Sequence, residues 1–252
     1  MTAASVGFQC PECIREGRKT VRQARTIAGA PVSADSPVTR ALLGLNVGIF
    51  LLVFLGVGGR TPQGFNSIVE RFLMSPGHIA LEGQYYRLVT STFLHMDMLH
   101  IAFNMYALLS LGDQVERVLG RWRYLSLYFA AGLAGSAASY FFRLGPSLGA
   151  SGAIFGLFGA YFVIQRRLRA DTSSIVVSLV LNIFIAVAIP RIDWRAHVGG
   201  LVAGATITAG FIYLGRGKQR APLHIAVVAA VALLTVAAIV VRTQQIRDLA
   251  GG

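Results

Sequence analysis

Seven stretches of this chain are apolar, free of charge along most of their length and long enough to cross a bilayer, which takes about 20 residues of helix. Five are clean: 41–59, 124–142, 172–190, 196–215 and 221–241. Two are irregular. The run 92–112 contains His95, Asp97, His100 and Asn104, and the run 144–165 is broken near its start by Gly145-Pro146 and Gly149-Ala150-Ser151-Gly152. With 54% apolar and only 13% charged residues, the chain lies outside the range of soluble domains. The expected fold class is all-α, a polytopic transmembrane helical bundle.

The net charge of +12 does not point to nucleic acid, because the basic residues flank the apolar runs instead of forming one basic, aromatic domain. Placing the N-terminal stretch and every second loop on one side collects Arg15, Arg18, Lys19, Arg22, Arg25, Arg40, Arg117, Arg121, Arg123, Arg166, Arg167, Arg169, Arg216, Lys218 and Arg220 there. The positive-inside rule then puts the N-terminus in the cytoplasm and, with seven spans, the C-terminus outside, as expected for a multi-pass plasma-membrane protein. Residues 1–38 are polar and basic without the apolar core of a removable signal, so the first span is expected to be an uncleaved anchor. No internal repeat of the inverted-transporter kind is visible.

The connection 60–91 is long enough to expect a role for it. Phe65, Ile68, Val69, Phe72 and Leu73 recur at helical spacing, with Glu70 and Arg71 off that stripe, which predicts an amphipathic helix. It lies in the outer membrane interface or on the outer ends of the spans.

Ionisable groups inside a span are costly and mark function or structural hydrogen bonding. His100 and Asn104 are four residues apart and share one helix face, about 12 to 18 Å past the outer start of a span counted from residue 92. Ser151 opens a run of only 15 uncharged residues ending at Gln165, roughly 22 Å of helix against a core of about 30 Å. That helix therefore starts below the surface, where irregular backbone is tolerated only beside protein or a wet cavity. Free N–H groups and the helix dipole at such a start suit developing negative charge. Ser is equally a common N-cap or a small residue at a tight contact.

Spans four and six both run inward, so Ser151 and His197, the second residue of the sixth apolar run, lie at similar depth. Gly152, Gly156 and Gly159 on one run and Ala196, Gly200 and Gly204 on the other form small-xxx-small faces that let two helices approach closely. A serine hydroxyl needs a neighbouring base, and His is suited to that near neutral pH. No strand precedes Ser151, which argues against the nucleophile elbow of soluble hydrolases.

These residues resemble the rhomboid intramembrane proteases. His95-Met96-Asp97-Met98-Leu99-His100-Ile101-Ala102-Phe103-Asn104 is similar to the family's helix-two motif, Gly149-Ala150-Ser151-Gly152 to its nucleophile motif, and Ala196-His197-Val198-Gly199-Gly200 to its base motif. Tyr86-Arg87 stands where the long first loop carries an aromatic-Arg pair, and Gly112, Glu116 and Gly120 fit the turn between helices two and three. The likeness runs from about residue 41 to 215. It implies a six-helix core within 39–215, a seventh helix within 216–252, and a serine endopeptidase acting on membrane-protein substrates within the lipid bilayer, without a cofactor. It further implies a Ser151–His197 dyad, oxyanion stabilisation by His100, Asn104 and the Ser151 N–H, and supporting roles for Gly149, Gly152 and Phe155. Where many members have Tyr, this chain has Phe155, which can still stack on His197 but offers no hydroxyl. His95 is implied to shape the first loop. A transporter with a polar path, or a rhomboid-like binder without activity, would share the intramembrane histidines but needs no serine beside a histidine.

Cys10-Pro11-Glu12-Cys13 is a C-x-x-C in the basic stretch 1–38. In a reducing compartment it reads as half of a zinc site, with no further Cys to complete it.

Overall fold

The computed structural model describes residues 2–3, 7–20, 24–57, 62–143, 145–189, 192–215 and 217–251. Apart from a two-residue antiparallel pair, β1 (Thr2–Ala3) with β2 (Phe8–Gln9), the described elements are helical. They are α1 (Pro11–Thr20), α2 (Pro37–Leu52, continued by a π-helical turn Val53–Val57), α3 (Pro62–Phe72), α4 (Pro76–Glu82), α5 (Arg87–Thr90) and α6 (Met98–Leu119). Then follow α7 (Arg121–Phe142), α8 (Ser151–Arg167), α9 (Ser173–Ala188), α10 (Trp194–Tyr213) and α11 (Arg220–Gly251).

Among the described residues four helices are long and apolar enough to cross a membrane: Pro37–Leu55, Arg121–Phe142, Trp194–Tyr213 and Arg220–Gly251. The apolar helix α9 is shorter, at 16 residues. Length and composition thus pick out fewer than the seven expected spans. The physical reason is that α6 carries His100, Asn104, Asp113, Glu116 and Arg117, while α8 has only 17 residues, roughly 25 Å.

Several boundaries differ from the apolar runs because caps set them. α6 begins at Met98, not near residue 92: Asp97 is extended and its side chain accepts from the His100 N–H at 2.8 Å, an N-cap arrangement. His100 and Asn104 consequently lie roughly 3 and 9 Å past the helix start, in its first two turns. α10 starts at Trp194 under an Asp193 cap, which accepts from the Arg195 N–H at 3.2 Å, so His197 is its fourth residue. α11 runs ten residues beyond 241, since 242–250 contain no Gly or Pro to stop it.

The centre of the bundle is α10 between α7 and α8. A Cβ added at Gly200 would overlap the Gly152 carbonyl, and one at Gly204 the Gly156 carbonyl. The two small-residue faces therefore meet backbone to backbone. At the opposite end, the buried Glu116 carboxylate on α6 accepts from the N–H groups of Val38 (3.0 Å) and Thr39 (2.7 Å) and from the Thr39 hydroxyl (2.8 Å). It satisfies the free donors at the start of α2.

The connection between α2 and α6 is folded, as its length and apolar stripe led one to expect. In α3, Val69 is buried while Phe72 is exposed and edges the ring of Tyr86; the Phe65 side chain is outside the described set. Arg87, 4% exposed, donates to the carbonyls of Glu70 (2.7 Å) and Leu73 (3.0 Å) and to Gln84 Oε1 (2.6 Å). One buried guanidinium thereby closes the loop on itself. α11 reaches the same end: Thr243 bonds Tyr140 Oη at 2.9 Å and Arg247 donates to the Ala80 carbonyl at 2.7 Å. From Ala24 onward the N-terminal stretch is also packed on the bundle, with Ala28 and Ala30 buried and Thr26 donating to the Val118 carbonyl at 2.6 Å.

Candidate active site

The irregular segment before α8 is held by backbone pairing. Met74 and Ser147 exchange N–H···O bonds of 3.0 Å in both directions, and Gly149 N–H donates to the Ser91 carbonyl at 2.9 Å. Buried main chain needs such partners. Gly149 has φ of +124°, which strains a residue with a side chain, and a Cβ there would come within 2.8 Å of His100 Nε2. Glycine therefore lets the His100 ring lie against the backbone just ahead of Ser151.

Ala150 occupies the cap and Ser151 is the first residue of α8, so Ser151 is not spent on capping. Its N–H and that of Gly152 belong to the first turn, which has no intrahelical acceptors. Ser151 Oγ lies 2.9 Å from His197 Nε2. For Nε2 to accept the hydroxyl proton, Nδ1 must carry the ring proton, and Nδ1 is buried with no hydrogen-bond partner among the described residues. The imidazole is instead held by packing: the Phe155 ring stacks on it, centroids 4.1 Å apart and planes 9° from parallel.

Asn104 and His100 are together as the spacing implies, on one face of α6. The Asn104 Nδ2 donates to the His100 carbonyl at 2.9 Å, so one of its two amide hydrogens is turned back along its own helix, and the other remains for a ligand. His95, 2% exposed, stands edge-on to His100 with ring centroids 5.0 Å apart. Gly152 meets Gly135 of α7 and the Ala196 carbonyl of α10, where an added Cβ would lie 3.4 and 3.5 Å from the nearest atoms. It is the point where the three central helices touch.

Beside Ser151 lies a small cavity of about 20 Å³, lined by Ser91, Ser136, Ser147, Gly149, Ser151 and Asp193 among others. That is room for about one water molecule. Asp193 is the site residue that sequence reasoning did not single out. Its carboxylate accepts from the Ser139 hydroxyl of α7 and the Arg195 N–H, and it lies 3.9 Å from Arg143. It ties the start of the His197 helix to α7. An Asp four residues before His197, at a helix start, is a capping signal that was legible; its link to Ser139 was not.

Cys10 and Cys13 do lie together, their sulfurs 2.7 Å apart. Hydrogen bonding to Cys13 lowers the Cys10 thiol from its ordinary range, and the same contact raises Cys13. Among the described residues no third His, Cys, Asp or Glu joins them.

Comparison with known proteins gives this geometry a context. Residues 82–214 match the Rhomboid domain. The chain is 35% identical over 191 residues to Rhomboid protease GluP of Bacillus subtilis (strain 168), covering 74% of this chain and 37% of that protein. It is 32% identical over 172 residues to RHOMBOID-like protein 1 of Arabidopsis thaliana, covering 60% and 44% respectively. With Rhomboid protease AarA of Providencia stuartii it shares 28% over 188 residues, covering 62% and 66%. The chain thus spans under half the length of the first two.

Proposed function

Because the chain belongs to the rhomboid family and is an integral membrane protein, we propose that it is a serine endopeptidase that cuts peptide bonds in or near the transmembrane helices of other membrane proteins. The observation that carries this reading is the 2.9 Å contact between Ser151 Oγ and His197 Nε2 at the start of α8, whose 17 residues give roughly 25 Å of helix against a hydrocarbon core of about 30 Å.

In this reading α2, α6, α7, α8, α9 and α10 form the six-helix core within residues 39–215 and α11 is a seventh span. α6 has the length to cross but carries polar residues, α8 is short and packed among α6, α7 and α10, and α9 is short, apolar and largely exposed on the outside of the bundle. The N-terminus is cytoplasmic, the C-terminus is outside and the membrane is the plasma membrane, with residues 1–38 on the inner face and the 60–91 connection on the outer.

Ser151 Oγ attacks the substrate carbonyl carbon as His197 Nε2 takes the hydroxyl proton. The tetrahedral oxygen gathers negative charge and is met by the Ser151 N–H, by His100 and by the free hydrogen of Asn104, each worth on the order of 10² to 10³ in rate. The C–N bond breaks as His197 returns the proton to the leaving amine, which leaves an acyl ester on Ser151. Water, deprotonated by His197, then attacks the ester and the released Oγ recovers the proton. A cavity large enough for one water beside Oγ suits that second half. Among the described residues no carboxylate meets His197 Nδ1, and in this reading the pair works as a dyad with Phe155 fixing the ring plane.

The direct check is cleavage in vesicles of a single-span substrate whose helix carries small, helix-destabilising residues near its outer end, with product masses locating the cut. Two fragments whose new ends lie within the outer third of the helix are expected. A folded protein that leaves the substrate intact, or only retains it, overturns the reading in favour of a binder without activity.

Asn104→Ala is expected to lower turnover by about 10²-fold with little change in thermal stability, since its recorded bond is local to α6. Turnover equal to the parent's would remove Asn104 from the oxyanion role.

A further inference from the structure

At the end of the bundle opposite Ser151, a cavity of about 610 Å³ opens between the starts of α7 and α11. Its polar end is formed by Arg121, Trp122, Arg123 and His224, and its walls continue along Phe211, Ile225 and Val228. The order of chemistries is that of a phospholipid, charged at one end and apolar along the other.

The charged end is positive and short of counter-charge. Arg123 donates to His224 Nδ1 at 3.0 Å, and the charges acting on it most closely are Arg220 and Arg25, both positive. Arg220 lies over Gly29 and donates to the Ile27 carbonyl at 3.4 Å, so the folded N-terminal stretch brings these cations together. Among the described residues none of Arg25, Arg121, Arg123 and Arg220 has a carboxylate within ion-pair distance. Among the described residues His224 Nε2 and Arg220 Nε are buried and have no partner, and His224 itself is 4% exposed. Cations held together by structure without an acid between them are complementary to a phosphate. Trp122, 83% exposed, stands beside them, as interfacial tryptophans do at headgroup level.

We infer that this cavity binds an anionic phospholipid, its phosphate and headgroup at Arg121, Arg123 and His224, with the positive charge of Arg220 behind Arg123 adding to the attraction, and its acyl chains along Phe211, Ile225 and Val228. The site is remote from the Ser151–His197 pair and does not depend on the proteolytic reading. It places a basic pocket between transmembrane helices on the face that the arginine distribution assigns to the cytoplasm, where anionic lipids are concentrated.

The test uses the full chain carrying Trp194→Phe, which leaves Trp122 as its single tryptophan, in phosphatidylcholine vesicles containing one tenth of either brominated phosphatidylglycerol or brominated phosphatidylcholine. Quenching of Trp122 by the anionic lipid is expected to exceed that by the zwitterionic lipid severalfold, from roughly fivefold enrichment per engaged arginine. Arg121→Gln/Arg220→Gln should abolish the excess, and Arg121→Lys/Arg220→Lys should keep most of it. Arg121→Gln alone, at an exposed side chain, should lower it while leaving the fold untouched. Equal quenching by the two lipids, or an excess unaffected by Arg121→Gln and by the double Gln variant, would overturn the proposal. So would loss of the excess in millimolar inorganic phosphate at matched ionic strength, which would reveal a free-phosphate site.

Discussion

Alanine at Ser151 or at His197 is expected to reduce cleavage of a transmembrane substrate by on the order of 10⁵, and the double variant should be no slower than either single one. The reason is that the two groups act as a unit. Without Oγ there is nothing for Nε2 to deprotonate, and without Nε2 the hydroxyl, poorly nucleophilic at its own pKa, has no base within reach. The structure adds a further expectation. Because the imidazole is held by stacking on Phe155 at 4.1 Å and not by a carboxylate on Nδ1, Phe155→Ala should loosen the ring and lower turnover, while Phe155→Tyr should retain it. Multiplicative losses in the double variant would mean that Ser151 and His197 serve different steps.

Gly200→Ala is expected to be strongly damaging for a single added methyl. Its Cβ would overlap the Gly152 carbonyl oxygen and approach the Gly152 carbonyl carbon to 2.7 Å, and both are backbone atoms that cannot rotate away. α8 and α10 would have to separate, at a cost of about 1 to 3 kcal/mol for overpacking. These helices carry Ser151 and His197, so a shift near 1 Å at their contact also costs about 10² in rate. Gly48→Ala is the matched control: it lies in α2 with nothing within 4 Å of an added Cβ, and it should leave activity alone and stabilise the helix by up to about 1 kcal/mol. Thermal midpoints in detergent alongside cleavage rates would separate the two. Equal behaviour of Gly200→Ala and Gly48→Ala would show that the close approach of α8 and α10 is not what holds the pair together.

The apolar runs foretold where most of the long helices lie, because hydrocarbon-spanning length is a property of composition. They foretold ends poorly. Asp97 and Asp193 each replace a run's edge with a cap, which moved the start of α6 by six residues and that of α10 by two, and brought His100 from the third turn of its run to the first turn of its helix. α11 outran its apolar segment because 242–250 are good helix formers, and only tertiary contacts with Tyr140 and Ala80 show what those extra turns do. At the site, Ser151 and His197 could be paired from helix parity and depth, and the glycine faces from their spacing. The Asp193–Ser139 tie and the turn of the Asn104 amide toward the His100 carbonyl were out of reach, since both depend on how neighbouring turns meet and not on any residue pattern.

Ser151 heads a short helix, is free of capping duty and lies 2.9 Å from a buried imidazole. Labelling with a fluorophosphonate probe measures that activation without needing the natural substrate. The folded protein is expected to be modified at Ser151 alone, Ser151→Ala not at all and His197→Ala only at a trace rate. A folded parent protein that stays unlabelled, or labelling that persists undiminished in Ser151→Ala, would contradict the account.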